Sequence, residues 1–182
     1  DGLIFIDSED ITVDGLKTVG CYPVWERCPN FTLRNQIHAD KVAPASVGSD
    51  TVFAIGANSH NTLVEDIALY EAGDGPTRYG IASIFKVGAN LNNCIVQRLG
   101  SRAAPMDLAA VATGPTRLVW TSFNNFSNIK IRDVYIANPR PGFEYCVDGD
   151  STSRLLEFTN VYVWPAPDMF CYKLQHQVMR IK

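Results

Sequence analysis

Three carboxylate residues stand in segments rich in glycine and proline: Glu71, Asp74 and Asp107. Two carboxyl groups about 5 to 9.5 Å apart can cleave a glycosidic bond, one as the acid and the other as the nucleophile or base. If the two segments lie on adjacent turns of the chain, their carboxylates fall within that range. We therefore take these three as the catalytic candidates of a polysaccharide-degrading glycosidase or lyase, the alternative being that each is a solvated loop charge.

Five further residues near these segments have the chemistry of a sugar-binding site. Arginine side chains can hold the carboxylate of an acidic sugar through paired hydrogen bonds, and a tyrosine ring can stack on a sugar ring. The candidate binding residues are Arg78, Tyr79, Arg102, Arg117 and Glu144. Most of them stand in four predicted insertions, which span residues 39–50, 71–80, 101–117 and 137–142.

Metal, cofactor and nucleophile motifs are not recognisable in the sequence. The five cysteines show no C-x-x-C spacing and have no histidine nearby, so we predict no zinc site and no cofactor. The three histidines do not stand near a serine or cysteine in a nucleophile motif. Cys21 and Cys28 are close enough along the chain to form a disulfide, but nothing in the sequence requires one.

Composition indicates one folded domain covering residues 1–182. The chain is 46% hydrophobic and 19% charged, with a net charge of −3, which is typical of a domain with a buried core. Its lysines and arginines are scattered, so we expect no nucleic-acid partner, and no apolar run is long enough to span a membrane. The chain begins at Asp1 without a methionine, and we expect it to be part of a longer polypeptide.

A degenerate repeat runs through the whole chain. The pattern F-x-[IV]-G-A-N-x-x-N occurs at Phe53 and again at Phe85, 32 residues later. Weaker copies align 31 residues before the first and 35 residues after the second, and two more flank these four. A repeat of this length indicates a fold made of stacked units.

Each copy contains two short runs of alternating apolar and polar residues separated by a turn, which is typical of β-strands. Strands that recur every 25 to 35 residues cannot form hairpins with each other, so they are expected to stack in parallel. Alternation then predicts which side chains enter the core. In the first strand of each copy these are Ile11/Val13, Phe31/Leu33, Thr62/Val64, Cys94/Val96, Ile129/Ile131 and Leu156/Phe158; in the second strand, a single aromatic row is predicted from Tyr22, Phe53, Phe85, Trp120, Tyr145 and Tyr172.

Small polar residues mark the corner that follows the first strand of each copy. Glycine, asparagine and aspartate tolerate the left-handed backbone conformation that a tight corner needs. Arg98 interrupts this row, so we expect its corner to be built differently. The other members of the predicted corner row are Gly15, Asn35, Asp66, Asp133 and Asn160.

The motif N-x-x-[IV]-x-[ND], stacked with aromatic and asparagine ladders, resembles the pectate-lyase-like superfamily over nearly the whole chain. The resemblance implies an all-β fold, a right-handed parallel β-helix that forms a single-stranded solenoid of about six coils. Within that superfamily the irregular copy length and the long insertions look most like bacteriophage tailspike and tail fibre proteins. That resemblance implies a homotrimer on the virion tail that recognises, and in some cases depolymerises, bacterial surface polysaccharide.

Two alternatives stay open from the sequence. The chain can be a secreted bacterial polysaccharide lyase, glycoside hydrolase or epimerase of the same fold, or a non-catalytic structural β-helix of a virion or adhesin. The motifs of polygalacturonases are absent except for Arg180-Ile181-Lys182, which we treat as a chance match. The fold does not assign an activity by itself.

Overall fold

The computed structural model describes residues 3–19, 21–39, 50–70, 81–108, 117–121, 125–139, 144–147, 154–164, 171–173 and 179–181. Within these ranges the regular elements are all β-strands, and no helix is present. In chain order the strands are β1 (Ile4–Ile6), β2 (Thr12–Asp14), β3 (Lys17–Val19), β4 (Val24–Glu26), β5 (Thr32–Arg34), β6 (Ile37–Ala39), β7 (Asp50–Ile55), β8 (Leu63–Tyr70), β9 (Ile81–Val87), β10 (Leu91–Leu99), β11 (Met106–Asp107), β12 (Arg117–Thr121), β13 (Phe126–Ala137), β14 (Glu144–Val147), β15 (Arg154–Trp164), β16 (Cys171–Lys173) and β17 (Met179–Ile181).

The strands form two large sheets, and the paired strands run parallel. The first sheet has the order β1-β4-β7-β9-β12-β14-β16, and the second follows the path β2-β5-β8-β10-β13-β15-β17. Shorter ladders extend the second sheet, where β3 pairs with β6, β6 with β8, and β11 with β13. Neighbours in a sheet therefore come from successive repeats. The all-β class and the parallel stacking predicted from the sequence are confirmed.

The spacing of the repeats also agrees with the sequence. A ladder of side-chain amides joins equivalent positions of five repeats, at separations of 20, 31, 32 and 35 residues. The three larger separations are those at which the copies align. In this ladder each asparagine donates its amide hydrogen to the carboxyl or amide oxygen of the previous repeat; its members are Asp10, Asn30, Asn61, Asn93 and Asn128.

The inward pairs of the second sheet are placed as alternation predicts. Val64 lies opposite Val96, and Val96 lies opposite Ile131, all three buried. Every member of the predicted pairs from Phe31 to Phe158 is at most 1% exposed. Only the first pair, Ile11 and Val13, is half-buried, because its repeat has a neighbour on one side alone. Burial of these pairs is the main stabilising contribution to the fold.

The predicted aromatic row is partly wrong, because β12 is shifted by one residue. Phe53 and Phe85 do lie opposite each other, with ring centroids 5.0 Å apart. However, Val119 occupies the next position in this row, and Trp120 lies opposite Lys86. Leu118 and Val119 are consecutive in the sequence and both wholly buried. Apolar and polar residues therefore do not alternate in this part of β12. Alternation cannot decide the register of such a strand.

The same shift affects both ends of the aromatic row. Cys146, rather than Tyr145, lies opposite Val119, while Tyr172 does continue the row. At the other end Trp25, rather than Val24, lies opposite Ile55, so Tyr22 is out of the predicted register. The Trp25 ring stacks on Phe53 at 6.1 Å and on Phe31 at 4.5 Å. Trp25 is fully buried and Val24 only half-buried, because turning the larger indole inward removes more apolar surface from water.

The corner row adopts the left-handed backbone throughout, including Arg98, whose φ is 53°. The expectation that this corner is built differently is therefore wrong. Ion pairing compensates for the strained arginine, since its guanidinium contacts both Asp66 and Glu65 at 2.6 Å. The other members, Gly15, Asn35, Asp66, Asp133 and Asn160, have φ between 54° and 75°.

Candidate functional site

The structure places only part of the predicted catalytic set. Glu71 and Asp74 lie outside the described residues, as do the binding candidates Arg78 and Tyr79. Asp107 is half-buried on β11, opposite Ala137 of β13. Its Oδ1 atom accepts a hydrogen bond of 3.1 Å from the side-chain amide of Asn138.

The remaining binding candidates fall in two places. Arg117 on β12 lies opposite Glu144 on β14, so these two belong to the first sheet. Arg102 instead lies in the exposed turn between β10 and β11, close in sequence to Asp107. The second sheet therefore brings two of the predicted residues, Arg102 and Asp107, to one region of its surface.

Arg102 lines a surface cleft of about 480 Å³ together with three aromatic residues, Tyr135, Tyr162 and Trp164. We call this the aromatic cleft. Its volume lies within the range of about 300 to 1,000 Å³ that is usual for small-ligand sites. Because Arg102 is a cation and the other three side chains are large and flat, the cleft combines an apolar surface with one charged donor group.

Strand alternation turns the aromatic side chains outward. On β13, Val134 and Ile136 are wholly buried, so Tyr135 between them must point away from the core. Tyr162 lies opposite Tyr135 on β15. The two rings stack at 5.0 Å with an angle of 16° between their planes.

Trp164 stands two residues beyond Tyr162, on the same outward side of β15. Its neighbour on β13 is Ala137, which in turn lies opposite Asp107. The small alanine therefore separates the indole from the carboxylate. Asn138 connects the two sides, because its backbone N–H donates to the carbonyl of Trp164 at 2.8 Å while its side chain donates to Asp107.

Gly100 allows the turn that carries Arg102 to approach β13 closely. Its φ is +65°, and a Cβ atom at this position would lie 2.8 Å from the Met106 nitrogen and 2.9 Å from the Tyr135 carbonyl oxygen. Both contacts are with backbone, which cannot move aside easily. Glycine is required there, and the position of Arg102 beside Tyr135 depends on it.

The exposure of these aromatic rings is unusual for the second sheet. Tyr162 is 49% exposed and Trp164 38% exposed, although large aromatic side chains normally gain several kcal/mol from burial. An exposed apolar cluster with polar groups at its rim is typical of a binding surface. The geometry suits a ligand that presents both an apolar face and hydrogen-bonding groups.

Tyr135, Tyr162 and Trp164 were not among the residues predicted from the sequence. A signal for them exists in the segments V-Y-I-A-N and V-Y-V-W, which begin at Val134 and Val161. In both segments aromatic residues occupy positions where alternation calls for a polar residue. The predictions instead favoured the insertions. Within the described residues, the insertions 101–117 and 137–142 reach this region, through Arg102, Asp107 and Asn138.

Other clusters in the described part of the chain offer less chemistry. The acidic groups near Arg98 are held in ion pairs, and this arginine lowers the pKa of Asp66. No group of three metal-ligating side chains occurs among the described residues. The thiols of Cys21, Cys28 and Cys94 are free, so the first two do not form the disulfide considered from the sequence.

Comparison with known proteins adds no relative. No family model, no curated protein and no solved structure matches the chain. Among the residues that the structure describes, no helix has the length and apolar character needed to cross a membrane.

Proposed function

We propose that this chain is a right-handed parallel β-helix that binds bacterial surface polysaccharide in the aromatic cleft. The observation that carries the proposal is the outward aromatic set beside Arg102, in which Tyr162 and Trp164 are exposed and Tyr135 is half-buried. Parallel pairing between successive repeats in both sheets supports the β-helix.

Sugar is the ligand class that matches the mixed chemistry of the cleft. A pyranose ring has an apolar face of C–H groups that packs on aromatic side chains, while its hydroxyls need hydrogen-bonding partners. Trp164 and the tyrosines supply the flat apolar surface, and amphipathic rings of this kind keep their polar atoms in water. Arg102 supplies donors, and Asp107 with Asn138 supplies carboxylate and amide groups near Trp164.

The resemblance to tailspike and tail fibre proteins supports a more specific role. In that role the chain forms a homotrimer on a virion tail and recognises a host bacterium through its surface polysaccharide. Size-exclusion chromatography with light scattering tests the trimer, and a monomer would favour the secreted enzyme instead. Cleavage by Glu71, Asp74 and Asp107 remains a prediction, to be tested by substituting each with its amide.

The test of binding is a screen against bacterial capsule and O-antigen preparations, with dextran, alginate and polygalacturonate as further probes. Titration calorimetry measures binding, while reducing-end and ultraviolet absorbance assays distinguish hydrolase from lyase products. We expect Trp164→Ala to weaken binding about tenfold or more, because one well-packed aromatic contact contributes on the order of 1–2 kcal/mol.

A matched control is available at the opposite end of the chain. Ile4 is 59% exposed but lies on β1 of the first sheet, so Ile4→Ala should leave binding unchanged. If a polysaccharide binds equally well to the wild type and to Trp164→Ala, the cleft is not its site. If no polysaccharide binds at all, the purely structural alternative is favoured.

A further inference from the structure

Asn138 stands where β13 ends, between the neighbouring strands β11 and β15 of the second sheet. Its backbone N–H donates to the Trp164 carbonyl on β15 at 2.8 Å. Its side-chain amide donates to Oδ1 of Asp107 on β11 at 3.1 Å. This one residue therefore holds both neighbouring repeats, the later one through its backbone and the earlier one through its side chain.

The backbone of Asn138 has the left-handed conformation that accompanies this pair of contacts, with a φ of 50°. Asparagine adopts that conformation more readily than most residues, and the proline that follows disfavours the right-handed helical alternative. Another left-handed asparagine, Asn30, makes the same two bonds. Its N–H donates to the His60 carbonyl at 2.9 Å and its side-chain amide donates to Asp10 at 2.8 Å. Asn138 is thus a corner residue of a common kind, but its two partners belong to the candidate site.

The bond from Asn138 also restrains the turn of residues 101–105, which carries Arg102 and is mostly exposed. Gly100 packs the start of this turn against β13. The end of the turn leads into β11, a strand of two residues. Because so short a strand makes few backbone hydrogen bonds, the bond to Asp107 adds substantially to what holds it. The same contact therefore restrains Arg102 as well as Asp107.

We propose that Asn138 is a positioning residue of the aromatic cleft, which keeps Asp107 and the Arg102 turn in a fixed place relative to Trp164. The consequence for binding rests on the proposed function. Asn138 acts through its neighbours, since its backbone and side chain are each bonded to one of them. A ligand that packs on the indole then meets the cation and the carboxylate already in place, which lowers the entropic cost of ordering them on binding.

Two substitutions separate positioning from a general effect on folding. Asn138→Gly keeps the left-handed backbone and its N–H donor but removes the side-chain donor. Asn138→Asp keeps the size of the side chain but sets a carboxylate against Asp107, so the two share a hydrogen bond only when one of them is protonated. Asn30→Asp is the matched control, because Asn30 has a φ of 58° and makes the same pair of bonds near the other end of the second sheet.

Calorimetry with a polysaccharide that binds the wild type in the screen measures the effect, each variant being compared with the wild type at the same pH. At about pH 7.5 both Asn138 variants should bind about five- to tenfold more weakly, because a hydrogen bond to a charged group is lost. At about pH 5 Asn138→Asp should return to within about twofold of the wild type, since a shared proton restores the bond to Asp107. Asn138→Gly should not recover, and Asn30→Asp should bind as the wild type does at both pH values.

The link between the two repeats can also be measured without a ligand. In the proton–nitrogen NMR spectrum of the free protein, the indole N–H resonance of Trp164 is assigned by its loss in Trp164→Ala. This resonance should move in both Asn138 variants and stay in place in Asn30→Asp. Urea unfolding should show similar losses of stability for Asn138→Asp and Asn30→Asp, so stability alone does not explain the difference.

The outcomes separate this inference from the proposed function. An unchanged Trp164 resonance in both Asn138 variants refutes the positioning role, as does equal affinity of Asn138→Gly and Asn138→Asp at about pH 5. Loss of binding in Trp164→Ala would then still support the cleft. If Trp164→Ala binds as the wild type does, the cleft itself is wrong, while the NMR result still decides whether Asn138 links Asp107 to Trp164.

Discussion

Replacing Gly88 with alanine tests the close stacking of successive repeats. Gly88 belongs to the recurring G-A-N segment, and its backbone N–H donates to the Ile55 carbonyl at 2.7 Å. A Cβ atom here would lie 2.6 Å from the Ala57 nitrogen and 2.7 Å from the Gly56 carbonyl carbon. Real Cβ atoms do not approach backbone so closely, so the two repeats must move apart.

Two opposing effects set the size of the change. Alanine restricts the unfolded chain, which stabilises a protein by about 0.4–1 kcal/mol where the native backbone conformation allows it. Forcing an extra methyl group into a packed site costs about 1–3 kcal/mol. Because the atoms in contact are backbone atoms of the neighbouring repeat, the steric cost should dominate. We expect a net destabilisation of about 1–2 kcal/mol, equivalent to a fall of about 2–8 °C in Tm.

Urea unfolding followed by tryptophan fluorescence measures this difference. Gly15→Asn is the matched control, because Gly15 has a φ of +75° and a Cβ atom there meets nothing within 4 Å. Asparagine already occupies the same corner at Asn35 and Asn160, so the control should remain within about 0.5 kcal/mol of the wild type. A Gly88→Ala variant as stable as the wild type would refute the close contact between repeats.

Three further results are expected. Phe85→Ala should lower the free energy of unfolding by about 3–5 kcal/mol, because the ring is wholly buried against Phe53; a loss below about 1 kcal/mol in urea titrations would contradict this. Burial lowers the pKa of His38 from 6.5 to about 4. Between these pH values the unfolded state binds more protons than the folded state, so the free energy of unfolding should fall by up to about 3 kcal/mol as the pH drops from 6.5 to 4. In the His38→Gln variant the free energy of unfolding should fall less over the same pH range. Burial also raises the pKa of the Cys94 thiol to about 11, so alkylation of the native protein at pH 8 should modify Cys21 well before Cys94, as measured by peptide mass mapping; equal rates would show that Cys94 is accessible.

The pH prediction depends on how His38 is held. Its Nδ1 atom lies 2.8 Å from the hydroxyl oxygen of Thr18, and that oxygen accepts a hydrogen bond from the Gln36 side-chain amide at 3.1 Å. In the tautomer that leaves Nδ1 unprotonated, this neutral imidazole nitrogen accepts the hydroxyl proton of Thr18. Protonation at Nδ1 would reverse this hydrogen bond and leave a charged imidazolium buried. Acid should therefore disrupt this buried cluster.

Much of the fold follows from local patterns in the sequence. Val64 and Val96 share a face because alternation has a period of two, and they lie opposite each other because their copies are 32 residues apart. Asn35 and Asp66 mark corners because their side chains tolerate the left-handed backbone. These properties depend only on neighbouring residues and on the repeat length, so the strands, their parallel stacking and the second-sheet core could be predicted.

Register and surface assembly could not be predicted in the same way. Leu118 and Val119 are both apolar, so the position of Trp120 was decided by the packing of β12 against β9 rather than by alternation. Arg98 could be predicted to disrupt its corner, yet ion pairs with Asp66 and Glu65 hold it in the common conformation. Such contacts arise only when the repeats are stacked.

The candidate site shows the same division. Residue type and loop context alone made Arg102 a candidate binding residue and Asp107 a candidate catalytic residue. Only the tertiary structure placed Arg102 beside Tyr135, Tyr162 and Trp164, which lie 33 to 62 positions further along the chain. Their proximity depends on how the turn after Gly100 and strand β11 pack against β13, and that placement is set by tertiary packing rather than by the repeat pattern.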